Sequence, residues 1–318
     1  MRTANIIKLI CWIVVAALLI GILIVCMRTG TIRNIFYNLP VLSINPGDNW
    51  SVSSGESDSA VSADGSYAVS ADGIQRINVN WVSGSIAVTP YSGTEICFNE
   101  TANRTITDEL ALNYSVSGNS LNIDFFKETT GFSPRNITKQ LELLVPESVA
   151  AALDEVEIYS VSADIAVSGV SSRSMELVST SGKIGLDGCE ATEISITTTS
   201  GAIVATECVC NKLDTEGVSG ELVYSGSASD IRSDAISGSV SFALNTRPDK
   251  MNVNTVSGSI SLTMPDNDGF RVQVDKISGS VSCDFPTLSE NDYRVYGNGE
   301  AVYSFDTVSG SIRIEKAE

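Results

Sequence analysis

The sequence predicts an all-β protein whose larger part is a β-solenoid, a β-helix-like stack of short strands, preceded by an N-terminal transmembrane helix. One observation is a recurring motif of an apolar residue or Thr, then Ser, Gly, any residue and Ile, Val or Leu, as in Val256-Ser257-Gly258-Ser259-Ile260. Its central residues lie 19, 19, 19, 18, 20, 21 and 31 residues apart, at Ala163, Gly182, Gly201, Gly220, Gly238, Gly258, Gly279 and Gly310. A near-constant period of this length is typical of solenoids, because each repeat buries its apolar face only against its neighbours.

The second observation is an alternation of apolar and polar residues around each motif. Ile236, Val240 and Phe242 lie two before, two after and four after Gly238, with mostly polar residues between them. This period of two in β-branched residues indicates half-buried strands. The Gly falls on the inward side, where a side chain would crowd the interior or where the strand must turn. We therefore predict a solenoid of about 19-residue rungs over residues 150–318, with a β-sandwich of repetitive strands as the alternative.

The N-terminal residues predict a membrane anchor. Residues 9–27 form a run of 19 uncharged, mostly aliphatic residues, which is just long enough to cross a bilayer. Basic residues flank both ends, so the positive-inside rule favours neither orientation of the helix strongly. The short arm of residues 1–8 and the long polar remainder favour a cytoplasmic N-terminus and an extracellular bulk. A cleaved signal peptide is the alternative, but no small-residue cleavage site follows the run.

Two further segments precede the solenoid. Residues 28–73 read as a juxtamembrane segment and a stalk rich in Ser and Gly, which is typical of flexible linkers. Residues 74–149 contain strand-like runs separated by Gly and Pro. We predict that this all-β region caps the N-terminal end of the solenoid, since an open stack would expose unpaired strand edges. Residues 286–300 lengthen the last interval and predict a loop or hairpin near the other end.

Parts of the chain resemble a known family. The segment from Ile77 to Val88 and the segment Leu141-Glu142-Leu143-Leu144-Val145-Pro146, with the Ser-Gly-x-Ile repeats, are similar to the "putative adhesin" domain of unknown function. That domain is common on bacterial, especially Gram-positive, surface proteins. The resemblance covers residues 74–318. It implies a β-solenoid-like fold, an envelope location and, in some relatives, a link to envelope-stress responses, but no catalytic residues.

The composition excludes several classes of function. The chain has 20 basic residues, 38 acidic residues and no histidine, and its first 44 residues hold four of the basic residues and none of the acidic ones. The remainder is therefore strongly acidic, which argues against nucleic-acid binding and favours cationic partners. Without histidine, Ser-His-Asp catalysis, Cys-His catalysis and His-ligated metals are excluded. We expect neither an enzyme nor a cofactor; carboxylate-only catalysis by a carbohydrate-active β-helix is the alternative.

The cysteines suggest a pair in neighbouring rungs. Cys189 and Cys208 each lie seven residues after their repeat Gly, so they should stack on adjacent rungs. We expect two buried thiols, with a disulfide as the alternative if the compartment is oxidising. Cys208-x-Cys210 alone, with no second pair and no histidine, is weak evidence for zinc.

Two polar ladders also follow from the repeat. A Ser precedes the central residue of every motif, at Ser162, Ser181, Ser200, Ser219, Ser237, Ser257, Ser278 and Ser309. We expect these hydroxyls to support the bend by local hydrogen bonds; a hydroxyl strip for sugars is the alternative.

The second ladder lies four residues before the Gly, at Glu216, Asp234, Asn254, Asp275 and Asp306. Rungs about 4.8 Å apart would bring these charges close together, which would attract a divalent cation or a polycationic partner. Solvated corner residues with splayed side chains are the simpler interpretation. It is favoured because Lys276 adjoins the column and no calcium-loop spacing is present, so we predict no metal site.

Together these patterns predict a single-pass cell-membrane protein whose stalk presents an acidic solenoid as an adhesin-like binding or scaffold surface. The expected partner is a cell-wall polymer, a cationic peptide or another envelope protein. One alternative is an envelope-stress sensor or regulator that acts through its membrane helix. The other is a carbohydrate-active β-helix enzyme.

Overall fold

The computed structural model describes residues 65–126 and 137–317, and regular structure in this part is almost entirely β-strand. A single-turn helix, α1, spans Glu147–Ala150. The strands are β1 (Ser66–Ser70), β2 (Arg76–Tyr91), β3 (Glu95–Ala102), β4 (Asn113–Ser117), β5 (Ser120–Asp124), β6 (Lys139–Pro146), β7 (Leu153–Ser168), β8 (Ser171–Ser179), β9 (Ile184–Asp187), β10 (Glu190–Ser200), β11 (Ile203–Ser219), β12 (Leu222–Ser237), β13 (Val240–Leu244), β14 (Lys250–Ser257), β15 (Ile260–Met264), β16 (Gly269–Ser278), β17 (Val281–Cys283), β18 (Leu288–Glu290), β19 (Tyr293–Gly297), β20 (Ala301–Ser309) and β21 (Ile312–Lys316).

These strands stack as parallel rungs, each with an incoming leg before the motif Gly and an outgoing leg after it. Ile194 on β10 shows the register, because it pairs with Met175 on one side and with Leu213 on the other. β11 and β12 each run from the outgoing leg of one rung into the incoming leg of the next. The predicted all-β, solenoid-like fold is confirmed.

The core is a set of apolar columns that run through the stack. The residue two positions after the motif centre is buried in successive rungs, at Ile165, Ile184, Ile203, Leu222, Val240, Ile260 and Ile312. Each of these residues pairs with the same position in the neighbouring rung. The repeat therefore buries its apolar face only by stacking, as the period predicts.

The stacking order departs from the chain order at the C-terminal end. β20 pairs in parallel with β14 on one side and with β16 on the other, and β21 lies likewise between β15 and β17. The rung of Gly310 is therefore inserted between the rungs of Gly258 and Gly279. The predicted excursion at residues 286–300 contains the antiparallel hairpin β18–β19, and β19 pairs with the start of β16. This hairpin returns the chain to the slot that β20 fills.

The N-terminal end of the stack is covered by additional strands. β5 and β6 pair in parallel with the two halves of β2, and β3, β1 and β4 extend the sheet by antiparallel pairing. β2 itself stacks in register on β7, with Gly84 opposite Ala163. The parallel pairing thus continues from β7 through β2 to β5 and β6, within residues 74–149. Ordered structure also begins before residue 74, because β1 pairs with β3 and buries Tyr67 and Val69.

A buried ion pair holds this end together. The Lys139 ammonium donates a hydrogen bond to Glu100 Oε2 at 3.0 Å and further bonds to the carbonyls of Leu110 and Phe125. Glu100 Oε1 accepts from the Tyr67 hydroxyl at 3.0 Å. Burial lowers the pKa of Lys139, and the Glu100 carboxylate opposes this shift. Three acceptors satisfy the three ammonium protons, so we assign the pair a structural role.

The predicted arm, membrane helix and most of the stalk lie outside the described residues. Within the described ranges, no helix is long and apolar enough to span a membrane.

The motif glycines are required because successive rungs approach each other at the backbone. A Cβ on Gly182 would lie 1.9 Å from the carbonyl oxygen of Ala163, and one on Gly201 would lie 2.2 Å from that of Gly182. On Gly238 the distance to the carbonyl oxygen of Gly220 would be 1.7 Å. Real Cβ atoms do not approach backbone so closely, so any side chain here would force the rungs apart.

Replacing Gly201 with Ala should lower the free energy of unfolding by about 2–3 kcal/mol, because the new methyl group must displace the neighbouring rung. Gly217→Ala is the matched control, since it lies one rung further along, on β11, and nothing lies within 4 Å of the added methyl group. It should leave stability unchanged or slightly raised. Urea unfolding followed by circular dichroism measures both, and equal stabilities would contradict the close backbone contact.

Candidate functional site

The predicted acidic column is continuous on the outward side of five neighbouring rungs. Glu216 pairs with Asp234, and Asp234 pairs with Asn254. Asn254 pairs with Asp306, and Asp306 pairs in turn with Asp275. The structure thus brings together all five residues that the sequence predicted, with Asp306 and Asp275 in the reverse of their chain order. We call these five residues the acidic column.

One end of the acidic column, at Glu216 and Asp234, is partly neutralised. Asp234 accepts two hydrogen bonds from Arg232, at 2.7 and 3.0 Å, and one from Asn254 Nδ2 at 2.7 Å. The pKa of Glu216 is raised by burial and then by the neighbouring carboxylates of Asp214 and Asp234, while Arg232 opposes the shift. One guanidinium therefore faces three carboxylates in this part of the column.

The other end of the column holds two adjacent carboxylates. Burial and repulsion from Asp275 raise the pKa of Asp306 to about 6, although Ser304 donates a weak hydrogen bond to it at 3.5 Å. Asp275 accepts a hydrogen bond from Gln273 at 3.2 Å. In the described part of the chain neither carboxylate forms an ion pair with Lys or Arg. The negative charge least compensated by the protein itself therefore lies at this end.

A neighbouring column on the same face, four residues earlier in each rung, carries charges of both signs. Its cross-rung ion pairs are Arg76–Glu155 at 3.6 Å, Lys212–Glu193, and Lys250–Asp230 at 3.5 Å. Between the two columns, Glu157 pairs with Glu176, and burial and the nearby carboxylates raise the pKa of Glu157. Sequence analysis did not single out this second acidic position, although the alternation around each Gly placed it on the same face.

No metal centre is formed where the structure is described. No group of three or more Cys, Asp or Glu side chains in residues 65–126 and 137–317 is arranged to hold an ion. The acidic column is a line of side chains along the stack, whereas a hard cation needs six to eight oxygen ligands around one point.

The Ser ladder contacts neighbouring rungs and not its own bend. Ser162 Oγ donates to the carbonyl of Val82 at 3.0 Å, and Ser181 Oγ lies 3.4 Å from the carbonyl of Val161. These bonds join successive rungs along the corner. All eight residues of the Ser ladder are exposed.

In two rungs the bend is instead supported by a Ser three positions before the motif centre. Ser179 Oγ accepts a hydrogen bond from the Gly182 N–H at 2.8 Å, and Ser160 Oγ accepts one from the Ala163 N–H at the same distance. Sequence reasoning missed this role. Ser or Thr recurs at this position, but the hydroxyl oxygens of Thr198, Thr255 and Thr307 have no hydrogen-bond partner in the described part of the chain.

The structure places the two stacked cysteines as expected. Glu190 pairs with Val209, and the Val209 N–H donates to the carbonyl of Cys189 at 2.9 Å, so Cys189 and Cys208 are neighbours across the rungs. Both are buried free thiols. Cys210 is also buried, and its sulfur lies 3.5 Å from the Tyr224 hydroxyl.

A groove of about 430 Å³ lies near these cysteines, at the corner where outgoing legs turn into incoming legs. Its lining includes Leu153, Arg173, Glu190, Thr192 and Cys210. Glu190 is the one carboxylate among its lining residues, so the groove does not present the pair of acids that carboxylate-only glycoside hydrolysis uses.

The pKa of Asp306 predicts a pH dependence of stability. The folded chain holds the Asp306 proton up to about pH 6, whereas the unfolded chain loses it near the usual value of 3.8. Between these values the folded state binds more protons, so this group makes stability fall as pH rises.

Asp306→Asn should therefore raise the free energy of unfolding at pH 8 by on the order of 1 kcal/mol and have little effect near pH 4. Urea unfolding at the two pH values measures this. Glu221→Gln, an exposed position on an outgoing leg, is the control and should change little at either pH. If Asp306→Asn lowered the free energy of unfolding at pH 8, the result would contradict the predicted cost of burying the Asp306 carboxylate beside Asp275.

Comparison with solved structures agrees with this architecture. The structure of a "Putative lipid binding protein" from Parabacteroides distasonis ATCC 8503 has a TM-score of 0.51 and 17% identity, over 79% of this chain and 96% of that chain. At this identity the likeness shows a shared fold. A "putative adhesin" from the same organism gives a TM-score of 0.42 and 13% identity, over 78% of this chain and 95% of that chain. A "putative cell adhesion protein" from Clostridium sporogenes ATCC 15579 gives a TM-score of 0.27 and 12% identity, over 79% of this chain and 98% of that chain.

No curated protein matches the chain. Residues 74–315 match the family model described as Toastrack DUF4097, which covers most of the chain and confirms the family resemblance read from the repeats. The chain belongs to the Toastrack DUF4097 family.

Proposed function

We propose that this protein is a membrane-anchored, adhesin-like binding scaffold whose acidic column meets a cationic partner at the cell envelope. The observation that carries the proposal is the register of Glu216, Asp234, Asn254, Asp306 and Asp275 along one face of five rungs. The partner is a cationic peptide, a wall polymer with cationic groups or a basic patch on another envelope protein.

The stack suits repeated weak contacts. Its backbone pairing fixes the rungs about 4.8 Å apart, so the carboxylates keep a regular spacing. Because the backbone is already ordered, it loses no conformational entropy when a partner binds. A single exposed ion pair contributes about 1 kcal/mol or less. Once one cationic group of a polycation has formed an ion pair, its other cationic groups are held at a high effective concentration near the remaining carboxylates. A polycation therefore binds far more tightly than a single ammonium group.

The proposal places the solenoid outside the cell membrane. The uncharged run of residues 9–27 is the anchor, residues 1–8 are cytoplasmic, and the bulk of the chain is extracellular. A strongly acidic surface in that position would steer cationic partners toward the anchored protein.

The binding surface is tested with the full chain in detergent micelles and a fluorescent oligolysine peptide. We expect saturable binding, measured by fluorescence anisotropy, that weakens as salt screens the charges. The double variant Asp275→Asn/Asp306→Asn should weaken binding about five- to tenfold, because it removes the uncompensated end of the column.

The matched control is Asp187→Asn/Glu221→Gln, which removes the same charge from exposed positions on outgoing legs. It should weaken binding less than twofold. If the two double variants lost the same amount of affinity, binding would depend only on net charge. That result would contradict a specific role of the acidic column. No binding of oligolysine by the folded chain would contradict the proposed function and favour a sensor acting through the membrane helix.

The anchor is tested separately, by fractionating cells that express the full chain. The protein should stay with membranes after an alkaline carbonate wash, and deletion of residues 1–27 should release it. Leu18→Arg should also release part of it, because a charge at the centre of a span costs about 2.5–3.5 kcal/mol. An intact mass that lacks the N-terminal residues would show cleavage and contradict the permanent anchor.

A further inference from the structure

Cys189 and Cys208 are the one cross-rung pair of thiols in the part of the chain that the structure describes. They occupy the same position, seven residues after the motif Gly, in two neighbouring rungs. Their rungs are joined on both sides of the pair by parallel register, from Ile184 opposite Ile203 to Glu190 opposite Val209. The pairing holds the two cysteines opposite each other.

The spacing of the rungs is compatible with a covalent bond. Neighbouring strands lie about 4.7–4.9 Å apart, within the 4.4–6.8 Å that separates the Cα atoms of bonded cysteines. In-register parallel side chains keep nearly this spacing at Cβ, which is slightly longer than the usual 3.5–4.5 Å. A bond formed here would therefore be strained, and strained disulfides are the more easily reduced ones.

The two thiols interact electrostatically. Each also donates a weak hydrogen bond to a backbone carbonyl, Cys189 to that of Val167 and Cys208 to that of Thr206, both at 3.4 Å. The contact between the thiols lowers the pKa of Cys189, although burial opposes this shift, and it raises the pKa of Cys208, which burial raises further. Since the thiolate is the attacking species in thiol–disulfide exchange, the sulfur of the pair that loses its proton first starts the reaction.

The corner next to the pair is open to solvent. Cys210, two residues beyond Cys208, lines the groove of about 430 Å³, together with Val209, which is 46% exposed. Glu207, which precedes Cys208, holds a left-handed backbone conformation with φ of 53°. Non-glycine residues adopt this conformation at a cost, so β11 is strained where its pairing with β12 shifts register between Ala205 and Cys208, beside the buried sulfurs.

We propose that Cys189 and Cys208 form a reversible disulfide that locks two rungs of the solenoid, with a small-molecule or protein disulfide as the oxidant. The thiolate of one cysteine attacks the oxidant disulfide, one thiol leaves, and a mixed disulfide forms on that cysteine. The thiolate of the other cysteine then attacks the sulfur of the first and releases the second thiol. Overall, two protein thiols become one disulfide and the oxidant disulfide becomes two thiols.

The test uses the full chain in detergent, incubated in glutathione buffers from fully reduced to fully oxidised. Free thiols are blocked, the chain is cut with trypsin and a Glu-specific protease, and disulfide-linked peptides are identified by mass spectrometry. The second protease is needed because no Lys or Arg lies between Lys183 and Lys212, whereas Glu190 and Glu207 separate the two cysteines. We expect a Cys189–Cys208 link that dithiothreitol removes.

Oxidation should also raise the midpoint of thermal unfolding. Cys189→Ser and Cys208→Ser should each abolish the link and this shift, while Cys210→Ser should keep both. Because a buried cysteine variant can itself lose stability, each variant is compared with itself under reducing and oxidising conditions.

The proposal is overturned if the link stays absent in fully oxidised glutathione while the half-buried thiols of Cys97 and Cys283 react, or if Cys208 bonds Cys210 instead. It does not rest on the proposed function, because oligolysine binding and disulfide formation are measured independently.

Discussion

The close approach of backbones at the motif glycines is the constraint on which the rest of the structure depends. At Gly182, Gly201 and Gly238 an added methyl group would lie about 2 Å from the carbonyl oxygen of the neighbouring rung. With no side chain at these glycines, their rungs rest directly on the preceding ones and their N–H and C=O groups pair with the next. This contact fixes the register, and the register aligns every other column along the stack.

The aligned columns of side chains stabilise the core of the solenoid but bring like charges together on its surface. Inside, they bring Ile184, Ile203 and their equivalents into contact, which supplies the buried apolar surface that no single rung could provide. Outside, they bring together like charges, and Asp306 beside Asp275 is the clearest case. A fold that aligns its core by repetition also aligns its surface. The acidic column and the pair of Cys189 and Cys208 both arise from this property.

Much of the candidate site could be predicted from the sequence, because register follows from counting residues from the Gly. The acidic column and the cysteine pair were located in this way. Counting residues from the Gly could not show which carboxylates are neutralised by neighbouring side chains. The neutralisation of Asp234 by Arg232 and the absence of an ion pair at Asp306 within the described residues depend on where long side chains lie. The support of the bend by Ser179 was missed because the Ser next to the Gly was the more regular position.

The sequence by itself determined the fold class and the rung length, because the alternation and the period are local properties of the chain. Only the tertiary structure decided the order of the last rungs and the closure of the ends. The slot between β14 and β16 is filled by β20, which the hairpin β18–β19 brings back, and all these rungs carry the same motif. Rungs with equivalent edges can stack in more than one order, and contacts distant in sequence select the order that forms.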